Sequence, residues 1–506
     1  MTSRFRTLAP VLTALLLLLI ISGVLFSLKN PVSLDDGLRH LAMARLMRER
    51  GIFAVNGWSE FMYSGSLSTL HTDPWFLSDV LLIPLTHINP VRALQIFTIA
   101  QIAVLYATFL LVLRRVPLNA WTKALLILLL ITGNADFLGR SLLGRPFVLM
   151  TALTLLVFDA LFLSRWALLA LLLTIASLLS HLFVFPLALS AGFVLWLFVL
   201  RRHRDALHCS IAIMLGTASG LALHPYPLEY LRYLLGGFLA IPFHGELGLA
   251  TELQSGILFD SVALFVSIGV TVLLLQVAAL TFRIPWNTWV RVHIPYLGGV
   301  VIVLFILYLR FIRTIDFLWP TLLLTIATVL SLSPKIATEA LRKFLPRALP
   351  RWLPLTVIMI FALLQSASVL TSIVMRNDRK TLTRFRALEA IPRHADVLNV
   401  DWDLFPPFLS LRPDLRFATG MDPTFIYLTN PSLSRLLNFL WTEPFTVDHP
   451  VVNAEEWVRQ IKMVTPGQYL VLEASRHKAF VALLERAKNI RMVSRTGSLA
   501  IFAFQR

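Results

Sequence analysis

Of the 506 residues, 57% are hydrophobic and only 14% charged, and the mean hydropathy is +0.75. That composition excludes an ordinary soluble domain and points to a polytopic α-helical membrane protein. The net charge of +17 is not a nucleic-acid footprint, because the basic residues cluster between apolar runs, where the positive-inside bias puts them. No nucleic-acid partner is expected. The single cysteine, Cys209, excludes an intrachain disulfide, a cysteine metal site and a redox pair.

Residues 9–28 follow Arg4 and Arg6 and carry no small-residue cleavage site before Lys29. They are read as an uncleaved first span with its N-terminus in the cytoplasm. Further spans over 92–113, 120–137, 146–163, 166–180, 182–200, 206–223, 259–282, 292–309, 317–334 and 352–374 bring the count to eleven. The segment "PWFLSDVLLIPLTHI", 74–88, is short, carries Asp79 and contains Pro84, so it suits an interfacial or re-entrant helix better than a crossing. With that segment uncounted, sixteen basic residues near the membrane fall on the cytoplasmic side. Five lie in the later external loops, Arg140, Arg145, Arg232, Arg310 and Arg313, while the basic residues of the first external loop, about 29–91, count weakly at that length. The topology is therefore N-terminus in, C-terminus out. The segments 120–137 and 166–180 are the weakest spans, one interrupted by Lys123 and the other about fifteen residues long.

After residue 375 the composition becomes that of a soluble domain. "ADVLNVD", "QYLVLEA" and "SLAIFAF" read as strands, while "SLSRLLNFLW", "AEEWVRQIKM" and "HKAFVALLERAKN" carry helical periodicity. The expected organisation is a transmembrane module over 1–375, whose first external loop spans about 29–91, and a small extracytoplasmic α/β domain over 376–506. An integral, multi-pass protein of a bacterial inner or plasma membrane is the expected setting.

The first external loop holds most of the chemistry. Residues 34–50 read as an amphipathic helix with Leu38, Leu41, Ala42 and Leu46 on one face and Gly51 beyond its end. Asp35 and Asp36 then fall in its first turn. The helix dipole and an Asp35–Arg39 pairing at i+4 account for them structurally as well as a catalytic role would. In "LHTDPWFLSDVLLIPL", His71 and Asp73 precede a proline and sit on a turn. Asp36, His40, His71 and Asp73 together would make a cation site if the turn met the helix. A long external loop from "HPYP" onward carries Glu252, either a sugar or acceptor contact or ordinary loop polarity. Asp159 falls near the cytoplasmic end of its span and is read as interfacial.

An N-in first span, a long external loop opening on "LDDGLRHLAMARLMRERG", and the interfacial entry "HTDPWFLSDVLLIPL" resemble the GT-C superfamily of membrane glycosyltransferases. That superfamily includes protein O-mannosyltransferases, lipid A aminoarabinose transferases and oligosaccharyltransferases. The resemblance implies an inverting transfer of a hexosyl or pentosyl group from a polyprenyl-phosphate sugar to a lipid, glycan or protein acceptor at the external membrane surface. By the same resemblance Asp35 is the base that activates the acceptor and Asp36 its acidic neighbour. Arg313 or Arg310 is the phosphate contact, an arginine being always charged and able to give two donors to a phosphate. Arg145 lines the same pocket or marks a helix boundary, and His71, Asp73 and Glu252 fall to the acceptor side. No cofactor is required, since arginine can neutralise a monophosphate, and a divalent cation is compatible with the pattern. "DWDLFPPF" has some likeness to the Trp-Trp-Asp motif of oligosaccharyltransferases but lacks its second tryptophan, so peptide recognition is not carried over. Two other readings stay open: a transporter or flippase of a lipid-linked glycan, and a non-catalytic scaffold on the same fold.

Overall fold

The computed structural model describes residues 2–32, 36–238, 288–332, 353–377, 382–420, 424–427, 429–442, 454–496 and 498–505. The chain forms two compact units, each assembled from separated segments. One comprises Met1–Leu28, Gln95–Gly220 and Thr251–Arg376; the other comprises Lys29–Leu94, Leu221–Ala250 and Asn377–Arg506.

The first unit is helical, as its long apolar runs require. In hydrocarbon every backbone polar group must bond within the protein, and a helix achieves that locally. Leu8–Ser27, Pro90–Arg115, His181–Val199 and His203–Leu223 are long and apolar enough to cross a bilayer. The helices Ala120–Thr132 and Ala135–Ser141 meet at 72° and make at most a fifth crossing. Helices also underlie the predicted spans at 146–163, 166–180, 292–309, 317–334 and 352–374, but their apolar stretches run to only 10–17 residues, whereas an untilted span needs about 20. The predicted span 259–282 lies outside the described residues.

The bend at Gly133 has a cause. A Cβ there would lie 2.5 Å from the Trp319 ring, and the Trp319 indole N–H reaches the carbonyls of Leu129 and Leu130, both at 3.1 Å. Ser366 donates to the Thr132 carbonyl at 3.2 Å, and the Asn134 side chain accepts the Phe137 amide to start the next helix. The break is thus paired on both sides, as a helix end away from water must be. Arg115 meets Asp159 at 2.6 Å at the foot of the Phe147–Phe162 helix.

The second unit contains the first loop, whose leading helix runs from Asp36 to Arg50. It stops at Gly51, where φ of 100° suits glycine. The Phe76–Leu82 helix packs against it and passes into a short 3-10 turn, Ile83–His87. The C-terminal segment supplies a five-stranded sheet: β1 Asp396–Asn399, β2 Arg416–Phe417, β3 Tyr469–Glu473, β4 Ile490–Thr496 and β5 Leu499–Phe504, in order β2-β1-β3-β5-β4. β1 is parallel to β2 and β3, while β5 runs antiparallel to β3 and β4. Leu433, Leu437 and Leu440 on one helix and Val458 and Ile461 on another recur at i+3 and i+4. That spacing puts them on one stripe, buried with Leu470, Leu472 and Phe502 of the sheet.

The first loop extends that sheet. Phe417 of β2 donates to the Phe61 carbonyl at 2.8 Å and accepts from the Tyr63 amide at 3.1 Å, so residues 61–63 satisfy the outer edge of β2. A second tie joins the two chain entries to the unit. Asn377 accepts the Asn30 amide at 3.1 Å and donates to the Asn30 and Pro31 carbonyls at 2.9 and 3.2 Å. Asn377→Ala strands three buried or half-buried backbone groups and is expected to cost about 2 kcal/mol of this unit's stability. A lowered unfolding midpoint in detergent, followed by hydrogen exchange in β3 and β5, checks it.

Candidate active site

The Asp36–Arg50 helix places three polar side chains in the unit's interior or at its edge. Asp36, in the first turn, is 25% exposed and accepts from Arg39 Nε at 2.8 Å. Arg39 is 1% exposed, an unusual fate for a guanidinium. Its Cζ lies 4.2 Å from the Trp75 ring centroid and 5.1 Å from that of Trp58. A desolvated cation on two indoles gains about 2 kcal/mol or more, which offsets part of the cost of burying the charge. Among the described residues, Arg39 Nη1 is buried without a hydrogen-bond acceptor.

His40, one residue on, faces the Phe76–Leu82 helix, and its Nδ1 lies 2.7 Å from Asp79 Oδ1 with both side chains buried. Asp79 in turn neighbours Asp73, and both carboxyls are buried. One Asp73 oxygen accepts from the Trp58 indole at 3.0 Å and the Trp75 amide at 3.1 Å. Burial, then the neighbouring Asp73 charge, pushes the Asp79 carboxyl well up, and burial raises Asp73 too, against its hydrogen bonds to Trp75 and Trp58. Burial favours the neutral form of both acids, because two carboxylates in one dry site cannot both be charged.

His224, from the Leu221–Ala250 segment, closes the cluster from behind. Its Nδ1 accepts the Tyr226 amide at 3.2 Å, so its Nε2–H donates to the Asp73 carbonyl at 2.9 Å. Burial holds its pKa down, consistent with a neutral ring stacked 4.3 Å from Tyr230.

The residues singled out in the sequence scatter. Asp36, His40, His71 and Asp73 do not converge on a cation: Asp36 goes to Arg39, His40 to Asp79, and Asp73 to Trp58 and Trp75. His71 is exposed, bonded to Ser59 at 2.8 Å. The physical reason is the turn itself, since a positive φ of 50° at His71 sends its ring outward while Asp73 points in. Among the described residues no group of three His, Cys, Asp or Glu could hold a metal ion. Asp35 and Glu252 lie outside the described residues.

In the helical unit, Arg313 sits half-buried in the 3-10 turn Ile312–Thr314, Arg310 ends the preceding helix, and Arg145 is 9% exposed. Arg140 is bound bidentately to Asp316 at 2.8 and 2.7 Å and is neutralised there. Asp401 is a sheet-end group. Burial alone would raise its pKa, but His477, the Glu473 amide and Arg476 hold it low.

Sequence reasoning missed Asp79, His224 and the two indoles around Arg39. Asp79 left a signal, a lone carboxylate in an apolar run; the indoles left none, since tryptophans suit any interfacial segment.

The fold is shared with solved structures of low sequence identity. ArnT from Cupriavidus metallidurans, solved bound to undecaprenyl phosphate, matches with a TM-score of 0.58 at 13% identity over 97% of both chains. Archaeal oligosaccharyltransferase AglB from Archaeoglobus fulgidus, in complex with an inhibitory peptide and a dolichol-phosphate, matches at 0.55 and 10% identity over 97% of this chain and 74% of its own. Arabinofuranosyltransferase AftD from Mycobacteria matches at 0.54 and 14% over the whole of this chain and 40% of its own. At these identities the likeness is one of fold. No protein-family model matches the sequence, and no curated protein does.

The raised carboxyls of Asp73 and Asp79 make stability depend on pH. A carboxyl whose folded pKa is raised stabilises fully below its unfolded value and loses that contribution as pH rises through the folded pKa. The second unit is therefore expected to weaken as pH rises from about 4, the ordinary carboxylate range. Asp79→Asn, which can donate to Asp73 and accept from His40, should flatten that slope. An unchanged slope in unfolding midpoints across a pH series would sink the assignment.

Proposed function

We propose that this protein is an inverting glycosyltransferase that moves a hexosyl or pentosyl group from a polyprenyl-phosphate sugar to an acceptor hydroxyl at the extracytoplasmic membrane surface. The observation that carries the reading is the Asp36 carboxylate. It is partly open to solvent, tied to a buried guanidinium, and opens the first-loop helix of a fold whose solved relatives include proteins holding undecaprenyl phosphate and dolichol-phosphate.

In this reading Asp35 takes the acceptor proton as its oxygen attacks the anomeric carbon. The bond to the phosphate breaks in the same displacement, inverting the centre and leaving polyprenyl phosphate. Asp36 shapes the acid pair. Arg313, Arg310 and Arg145 carry the lipid-phosphate role, and their assignment rests on charge topology, since basic residues on the outer side run against the positive-inside trend. Glu252 and the His71–Asp73 turn fall to the acceptor side, with Asp73 acting from within the wall. A lipid, glycan or protein acceptor fits, no cofactor is required, and a divalent cation is compatible with the site. The reading keeps eleven spans, a cytoplasmic N-terminus, an extracytoplasmic C-terminal α/β domain over 376–506, and a bacterial inner or plasma membrane.

Radiolabelled decaprenyl-phosphate arabinose, mannose and glucose, offered to the full chain in membranes, test this. Asp35→Asn is expected to lower transfer by about 10²- to 10⁴-fold, the range of a lost general base. Arg313→Ala is expected to lower it by about 10²-fold, as for a lost charge-stabilising group. Full activity in folded variants of both would end the assignment.

A further inference from the structure

Arg39 is the least expected residue in the second unit. A first-turn aspartate needs no buried arginine to stabilise its helix, because the helix dipole already favours it. Filling the same space with an apolar side chain would be no worse for stability, since buried ion pairs rarely repay their desolvation. What an apolar residue could not do is hold a carboxylate in one direction.

The surroundings restrain the guanidinium at each step. Trp58 and Trp75 enclose it, their rings crossing at 89° with centroids 5.9 Å apart. A single oxygen of Asp73 anchors both residues, through the Trp58 indole and the Trp75 amide. His40 stands edge-on to the two indoles at 6.2 and 5.4 Å and is itself fixed by Asp79. The cation thus rests in an aromatic box whose walls are pinned by buried acids, and its Nε–H points at Asp36.

We propose that Arg39 is a positioning residue for acceptor activation: held in the Trp58–Trp75 box, it fixes the carboxylate of Asp36 in the acid pair. This rests on the glycosyltransferase reading. Asp73 and Asp79 then act through Arg39, buttressing the box without touching substrate. The planar guanidinium matters, because lysine does not stack with a rigid fork of donors.

Three variants of the full-length protein test this: Arg39→Met, which fills the box without charge; Arg39→Lys, which keeps the charge without the fork; and Arg39→Gln, which keeps a donor. With the decaprenyl-phosphate sugar that the wild type uses, Arg39→Met is expected to lower kcat about 10- to 100-fold, the scale of a small misplacement, with KM within threefold and the unfolding midpoint unchanged. Arg39→Lys or Arg39→Gln should recover part of kcat. Independently of activity, hydrogen exchange at residues 36–39 should quicken at least tenfold in Arg39→Met while residues 76–82 stay as protected as before.

Wild-type kcat in Arg39→Met alongside an inactive Asp35→Asn would overturn the positioning role alone. Full activity in Asp35→Asn, or no sugar transferred by the wild type, would overturn the glycosyltransferase reading, and the exchange experiment would still decide whether Arg39 orders the acid pair. A raised KM with kcat intact, or failure of all three variants to fold, would make Arg39 a structural residue and remove the proposal.

Discussion

Asp73 and Asp79 share a space that water does not reach, and in such a space an unpaired charge is costlier than almost any other defect. Much of the second unit can be read as the answer to that cost. The Trp58 indole and the Trp75 amide meet one oxygen of Asp73 with two hydrogen bonds. The same hydrogen bonds set the two indoles at right angles, and the indoles make a place for Arg39. His40 and His224 complete the ring from opposite sides, one on the Asp79 carboxyl and the other on the Asp73 backbone. Removing Asp73 or Trp58 leaves a neighbour's donor or acceptor unmet, so the buried hydrogen bonds support one another.

The sequence made one end of this cluster visible. The acid pair at 35–36 stood out because it follows a membrane span and opens an amphipathic pattern, and the structure begins a helix at Asp36. The other end was hidden by its chemistry. Asp79 lies in an apolar run, where a protonated carboxyl is tolerated as part of the wall, and nothing in a linear reading separates a neutral acid from an ionised one. His71 misled for a simpler reason: Asp73, two residues on, turns inward, and the positive φ at His71 itself is not legible from residue type when the residue is a histidine.

For the fold, patterns with one strong period were readable and those under two influences were not. β1, β3 and β5 are buried, β-rich runs and were expected as strands. β4 was not, because at the sheet edge it alternates Arg491, Ser494 and Arg495 with apolar residues and carries a register shift between Met492 and Ser494. β2, two residues long, exists through its neighbours on either side. Among the membrane segments, the doubtful 120–137 stretch proved to be a bent pair, with the bend set by the distant Trp319 indole, a partner that no local window contains.

The tie between Asn30 and Asn377 joins residues 347 positions apart, and the contact of Tyr63 with Thr465 spans 402. A chain made from its N-terminus must hold the first loop incomplete while nearly all of the remainder is synthesised. Until the sheet arrives, the edge at residues 61–63 has no strand to pair with. Closure of this unit is therefore set by the order in which its pieces leave the ribosome, and it waits for the last of them.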